Sequence, residues 1–365
     1  MHLLSYLAAL LVTALTAFAV YTPYIPEGGL GVNNAPPEYV ALSDFDWQSI
    51  NLALNQEWIE LDLFNYGLTK FSPQDFQNAG LNAQDRFLIE FMAQQEFGHA
   101  TLLRNILGPY SAKPCKYRYP FNTVREFVDF CQKLTRFGES GVYGFLEHLN
   151  SRAAAQLLLQ SITTEARQQQ IFRQFEGLFP MPVWFEVGIT QSMAWTLLAP
   201  YIVSCPAENP RIAWQNFPAL NITNNPDAVP LYNTGVVGND TSPAITNNRS
   251  EPLSFSGRQV NFTWERPGQP VGYNNSYMTH TTAGPARFVA WISQLNTTYT
   301  PLENIQGESG STTQPGPRVF GDDTAPVVND TMFVAIVDEN IDITPFNISQ
   351  LNSHIVAGPA LYQAG

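Results

Sequence analysis

Apolar positions recur at alternating steps of three and four through most of residues 44–198, the spacing that lays them on one helix face. The pattern predicts helices over about 44–68, 82–107, 122–149 and 151–176. Ser43 or Asp44 caps the first, and Gly108-Pro109 stops the second. A shorter fifth helix, about 183–198, is bracketed by Pro182 and Pro200. After Cys205 the period changes. Asn, Thr, Pro and Gly dominate, and short β-branched and aromatic runs stand at 259–264, 288–292 and 332–337, with 307–317 reading as a loop. Such runs between turn residues predict strands. The chain therefore reads as α+β and multidomain. A four-helix bundle with a short fifth helix occupies 43–204, and a β-rich domain, a sandwich by its strand pattern, occupies 205–365.

The connections bear on topology. A tight turn at Asn150 makes the third and fourth helices antiparallel neighbours. The stretch from Gly108 to Phe121 has 14 residues and spans roughly 45 Å when extended. That is enough to return along a 25-residue helix of about 37 Å. The sequence thus permits a bundle with one long crossover between its second and third helices.

Each of the four long stripes is interrupted at mid-length by one acidic residue. The first reads Ile50, Leu54, Glu57, Leu61, Phe64, Leu68, and the second Ile89, Met92, Glu96, His99, Leu103, Ile106. The third reads Val128, Cys131, Thr135, Glu139, Val142, Leu146, and the fourth Ala154, Leu158, Ser161, Glu165, Gln168, Phe172, Phe175. Bundling would bring these carboxylates to one level, where they repel unless protons or cations neutralise them. Two divalent metals would do so, with His99 as a neutral nitrogen ligand. A hydrogen-bonded polar layer without metal is the plainer alternative. Glu60 competes with Glu57 as the first-helix ligand, although its own row (Gln56, Leu63, Gly67) is less apolar. Glu90 and Glu147 read as surface carboxylates, and His148 as a complement to a helix C-terminus. Gly138-Glu139-Ser140-Gly141 lacks the last glycine of a nucleophile elbow, because Val142 stands there.

Composition places the chain outside the cytosol. Residues 3–20 are apolar and uncharged, and Ala17-Phe18-Ala19 has the form of a signal-peptidase site, so 1–19 reads as a signal peptide and 20–42 as an extended lead-in. A membrane anchor is the rival, but the run is short and Pro23 and Pro26 follow it; no span is expected after cleavage. Eight Asn-x-Ser/Thr sequons, at Asn221, Asn239, Asn248, Asn261, Asn274, Asn296, Asn329 and Asn347, all lie beyond residue 220. They mark the β-rich half as the glycosylated one. Cys115 and Cys205, each in a Pro-containing connection, are expected to pair, leaving Cys131 as a buried free thiol. A net charge of −13 with only 13% charged residues and no basic patch argues against nucleic-acid partners. It suits a secreted protein at a cell wall or extracellular matrix.

Longer strings carry a family resemblance. Glu96-Phe97-Gly98-His99, then 135–144 (Thr-Arg-Phe-Gly-Glu-Ser-Gly-Val-Tyr-Gly), 163–169 (Thr-Thr-Glu-Ala-Arg-Gln-Gln) and 175–182 resemble the ferritin-like domain of secreted fungal proteins associated with stress response and sexual development. The resemblance covers most of 40–220. It implies a carboxylate site for iron or manganese, with Glu57 from the first helix, Glu96 and His99 from the second, Glu139 from the third and Glu165 from the fourth. The pattern's second Glu-x-x-His has become Glu165-x-x-Gln168. An amide oxygen is the poorer ligand, so one metal through His99 and a weak or empty second position is expected. Metal-dependent oxidoreductase chemistry on dioxygen or peroxide, as stress protection, is one implied role. A structural or interaction glycoprotein with a vestigial site is the other.

Overall fold

The computed structural model describes residues 36–178, 180–228, 253–316 and 331–365. The stretch read as a signal peptide, most of the lead-in and the sequons at Asn239, Asn248 and Asn329 lie outside the described residues. From Glu38 to Gly365 the chain forms one compact unit.

Four long helices carry its first half: α1 (Asp44–Lys70), α3 (Ala83–Leu107), α4 (Val124–Tyr143) and α5 (Arg152–Phe175), with the short α2 (Pro73–Asn78) between the first two. Each start is fixed by a side chain that satisfies otherwise orphaned backbone N–H groups. Ser43 caps α1, and Ser151 caps α5. Asn82 with Asp85 and Thr123 with Glu126 form reciprocal capping boxes on α3 and α4. Asp46 also accepts from the backbone N–H of Leu42 (3.0 Å), Asn150 (2.8 Å) and Ser151 (3.0 Å), which ties the start of α1 to the turn before α5. Helix α1 packs against α3 and α4, and α4 against α5. Over residues 49–60 it is buried on every side, a wider burial than its apolar stripe implies.

Two helix boundaries differ from the sequence reading. Helix α4 stops at Tyr143 rather than near Leu149, because the irregular segment before α6 (Gln191–Leu198) docks on its end. Ile189 N–H donates to Ser140 O at 2.9 Å, and a Cβ on Gly144 would lie 1.7 Å from Ile189 O. Only glycine admits that approach. The same docking keeps 186–190 out of the helix, so the fifth helix begins at Gln191, capped by Thr190, and not at about 183.

The crossover from α3 to α4 runs through β1 (Lys116–Tyr117), which pairs with β2 (Ile202–Ser204) just after α6. Trp58 Nε1–H donates to Ala112 O at 3.0 Å and holds the crossover to α1. The Cys115–Cys205 disulfide closes beside this two-stranded pairing, and Cys131 is a buried free thiol.

Among the described residues the β-rich half contains, besides a two-stranded pair of β5 (Pro270–Val271) with β6 (Tyr277–Met278), two larger antiparallel sheets. One has the order β11 (Ile355–Gln363), β10 (Thr331–Val337), β7 (Phe288–Ser293), β8 (Asn296–Pro301). The other has the order β3 (Leu220–Ile222), β4 (Gln259–Trp264), β9 (Ser309–Thr313). Part of the stretch read as a loop, 307–317, is therefore strand β9. Strand β10 is buried along its whole length, and its side chains alternate between two cores. Met332, Val334 and Ile336 meet Val260, Phe262 and Trp291 between the sheets. Phe333, Ala335 and Val337 share a core with Phe172, Trp195 and Leu198 of the helices. The large sheet is thus the middle layer of helices, sheet and sheet. No described helix is long and apolar enough to cross a membrane.

Candidate metal centre

Helix α1 brings Glu57, α3 brings Glu96 and His99, and α5 brings Glu165 to one level of the bundle. One ligand atom from each lies within 4.8 Å of every other. His99 Nδ1 stands 3.1 Å from Glu96 Oε2, 3.2 Å from Glu57 Oε2 and 3.8 Å from Glu165 Oε1. Glu96 and His99 share a face because they are one turn apart. The carboxylates are buried, while the His99 side chain keeps 11% of its surface exposed.

The ring of His99 is oriented from its far side. Thr164 Oγ1 donates to Ser161 O at 2.7 Å, so its lone pair is available to the His99 Nε2–H at 3.0 Å. This leaves Nδ1 facing the carboxylates. A hydrogen bond on the outer nitrogen is the usual support for a ligating imidazole. Three carboxylates and one imidazole nitrogen suit iron or manganese. Glu165 Oε2, at the cluster, is buried with no hydrogen-bond partner among the described residues. Buried polar atoms of that kind are costly unless something satisfies them, and a cation at the cluster would do so. The donor set fits a metal.

The remaining candidates sit differently. Glu60 is also buried, but Gln56 Nε2–H bonds it at 2.6 Å while also donating to Leu134 O at 2.8 Å. It is Glu57, not Glu60, that meets His99. Gln168 Nε2–H donates to Glu96 Oε1, so the amide presents its hydrogen rather than its oxygen to the cluster. Glu139 is fully buried yet stands outside the four-residue group. Its Oε2 lies 3.4 Å from Nη1 of Arg136, and the same guanidinium nitrogen pairs with Glu186. Arg136 and Thr164 were missed by the sequence reading. Arg136 lies three residues before Glu139, on its face of α4, and that spacing was the available signal.

Without a metal, protons must carry the balance of charge. Burial pushes the Glu57 carboxyl up to about 8, with Glu96 adding and His99 opposing. Burial and the neighbouring carboxylates hold Glu60 and Glu165 well above their usual range. Burial opposes ionisation of Glu96, but the bonds from His99 outweigh it and the carboxyl is lowered. Burial would also lower His99, yet Glu57 and Glu96 push it up to about 12.

These shifts fix a sign. A carboxyl raised from 4.5 to about 8 stays protonated in the fold where the unfolded chain has lost its proton. Stability of the metal-free protein therefore falls as pH rises through that window. His99 acts in the same direction, its contribution complete below 6.5 and lost as pH climbs towards about 12. A divalent cation displaces protons and binds more tightly as pH rises. Urea midpoints of chelator-treated protein should fall between about pH 5 and pH 8, and Mn(II) should flatten that fall. A midpoint that climbs with pH in metal-free protein would contradict the charge balance.

Comparison with known proteins agrees with this geometry. A family model described as "Ferritin-like domain" matches residues 45–178, the span that contains Glu57, Glu96, His99, Glu139, Glu165 and Gln168. Protein rds1 of Schizosaccharomyces pombe (strain 972 / ATCC 24843) is 54% identical over 349 residues, covering 94% of this chain and 86% of that protein. The chain therefore belongs to the same family of fungal ferritin-like proteins as Protein rds1, with the candidate metal centre inside the matched domain.

Proposed function

We propose that this chain is an exported, glycosylated metalloprotein that holds iron or manganese through Glu57, Glu96, His99 and Glu165. The reading rests on one observation: His99 Nδ1 is turned onto three buried carboxylates while Thr164 holds its other nitrogen. A bound metal of this kind supplies one-electron chemistry towards dioxygen or peroxide. The chain's own part is to hold the ligands, exclude bulk water and retain protons on Glu57, Glu60 and Glu165 until a cation replaces them. Protection against oxidative stress at the cell wall or matrix is the role this chemistry serves.

Export draws support from the disulfide, which persists in oxidising compartments, and from the apolar residues 3–20 followed by Ala-Phe-Ala. The described sequon asparagines, Asn221, Asn261, Asn274, Asn296 and Asn347, are exposed or half-buried, as glycan attachment requires. A second reading, a structural glycoprotein with a vestigial site, is favoured by the Gln168 N–H on Glu96 and by Arg136 on Glu139. Elemental analysis of protein secreted by its native route separates the two. The expected result is iron or manganese retained through gel filtration. Metal-free protein that also fails to take up added Fe(II) or Mn(II) would leave only the scaffold role.

A further inference from the structure

We infer that the centre is built for a single metal ion, with the Arg136 guanidinium serving as a fixed positive charge where a two-metal bundle would hold its second cation. This deepens the metalloprotein reading and rests on it. A dinuclear carboxylate site in a four-helix bundle draws one glutamate from each of two helices and a Glu-x-x-His pair from each of the other two. Here the first half of that set is assembled: Glu57, Glu96 and His99 meet, and Glu165 joins them. The groups that would serve the second ion alone, Glu139 and residue 168, are both otherwise engaged.

Glu139 and Arg136 are one turn apart on α4 and almost completely buried, at 0% and 1% exposure. Arg136 Nη1 lies 3.4 Å from Glu139 Oε2 and also pairs with Glu186, which comes from the segment docked on the end of α4. The guanidinium is thus anchored on two sides. A side chain of this type keeps its charge at any accessible pH. It neutralises Glu139 without dissociating, which an exchangeable cation cannot match. Glu139 lies on α4, which packs against the α5 that carries Glu165, so the guanidinium belongs to the bundle interior rather than to a surface ion pair.

Gln168 completes the exclusion. A histidine at this position would offer a lone pair, whereas the amide N–H of Gln168 is given to Glu96 Oε1 and to Gln95 Oε1 at 3.2 Å. Glu96 Oε2 faces His99. Its other oxygen, which would otherwise be free to serve a second ion, already accepts a hydrogen bond. Gln168 and the guanidinium therefore act together: one occupies the second oxygen of Glu96, the other the third-helix carboxylate.

The stoichiometry of Mn(II) binding tests this on the full secreted chain with its disulfide intact. Chelator-treated protein is loaded with Mn(II), freed of loose ions by gel filtration, and measured by elemental analysis and electron paramagnetic resonance. Wild type is expected to retain one Mn(II) per chain with the six-line signal of an isolated ion. Two per chain with a spin-coupled signal would overturn the inference while leaving the metalloprotein reading standing. No retained metal would overturn that reading itself. The double variant Arg136→Met/Gln168→His should rise to two. Arg136→Lys, which keeps the charge, and Gln168→His alone, which leaves Glu139 paired, should both stay at one. A folded double variant that stays at one, or Gln168→His alone reaching two, would show that Arg136 does not exclude the second ion. Should the double variant not fold, the wild-type count and the two single variants decide the matter.

Discussion

His99→Ala is expected to abolish the stabilisation of this protein by Mn(II) or Fe(II). A ligand that binds only the folded state at one hundred times its Kd adds about 2.7 kcal/mol. In wild type that gain should appear as a rise in Tm and in the urea midpoint, and the variant should show neither. His99 is the one nitrogen among the carboxylates of the cluster, so its loss removes one of four donors, leaving an oxygen set that suits iron less well and holds manganese by one ligand fewer. The metal-free variant is informative too. In wild type the imidazolium lies within 3.2 Å of both Glu57 and Glu96, and removing one partner of a buried charge pair costs roughly 3–5 kcal/mol. The metal-free variant should therefore be less stable than metal-free wild type, with the gap full in mildly acid solution, where His99 is charged and Glu96 ionised, and shrinking as pH climbs above 6.5. In strongly acid solution Glu96 takes up a proton and the gap should narrow there too. Stabilisation by Mn(II) that survives His99→Ala undiminished would remove His99 from the site.

Much of this centre was legible because a charge in an apolar stripe is hard to explain otherwise. Glu57, Glu96 and Glu165 each break a run of Leu, Ile or Phe at mid-helix, and the bundle brings them together. Glu139 follows the same pattern and is equally buried, yet it turns to Arg136. Periodicity places a residue on a face but does not say which of its neighbours on that face it will choose. The third stripe was read through Thr135 and Glu139, and the arginine between them was passed over, because cations are rarely fully buried without a partner. Here the partners are Glu139 and Glu186, and Glu186 comes from a segment the sequence assigned to a helix.

The same limit appears in the fold. Helix starts were readable from Ser43, Asn82, Thr123 and Ser151, since caps are local chemistry. The end of α4 depends on Gly144 meeting Ile189, 45 residues later, and no local signal carries that contact. Strand β10 was visible as a β-branched run, but its partner β11 contains Gly358 and Pro359 and does not read as a strand. Its place beside β10 is set by the neighbouring core. Buried Glu60 has a similar origin: α1 is covered on every side over 49–60 because α3, α4 and α6 all pack on it. A one-stripe reading assigns half of that surface to solvent.

Reduction of the Cys115–Cys205 disulfide, or its replacement by serines, is expected to lower stability by about 4–5 kcal/mol on the chain-entropy model. The bond spans 90 residues and closes a loop that contains all of α4, α5 and α6. An unfolded chain without it gains the freedom of that whole loop. The folded state offers little to replace the constraint. The strands beside the bond are two and three residues long, and strands that short are at best marginal without a cross-link. Local contacts remain, because Arg118 N–H donates to Tyr201 O at 2.9 Å and Trp58 still holds Ala112. The loss should therefore fall on the unfolded state more than on the geometry of the bundle. Two consequences follow for urea unfolding: the midpoint drops, and the slope increases because the released loop exposes more surface. Mn(II) binding to the folded protein should be unchanged, since the bond touches none of the ligands. Cys131 supplies an internal control. It is fully buried, so a thiol reagent added to the reduced, folded protein should leave it unmodified until the fold opens. Equal stability with and without reductant would mean that the pairing of β1 with β2 already supplies the closure assigned to the bond.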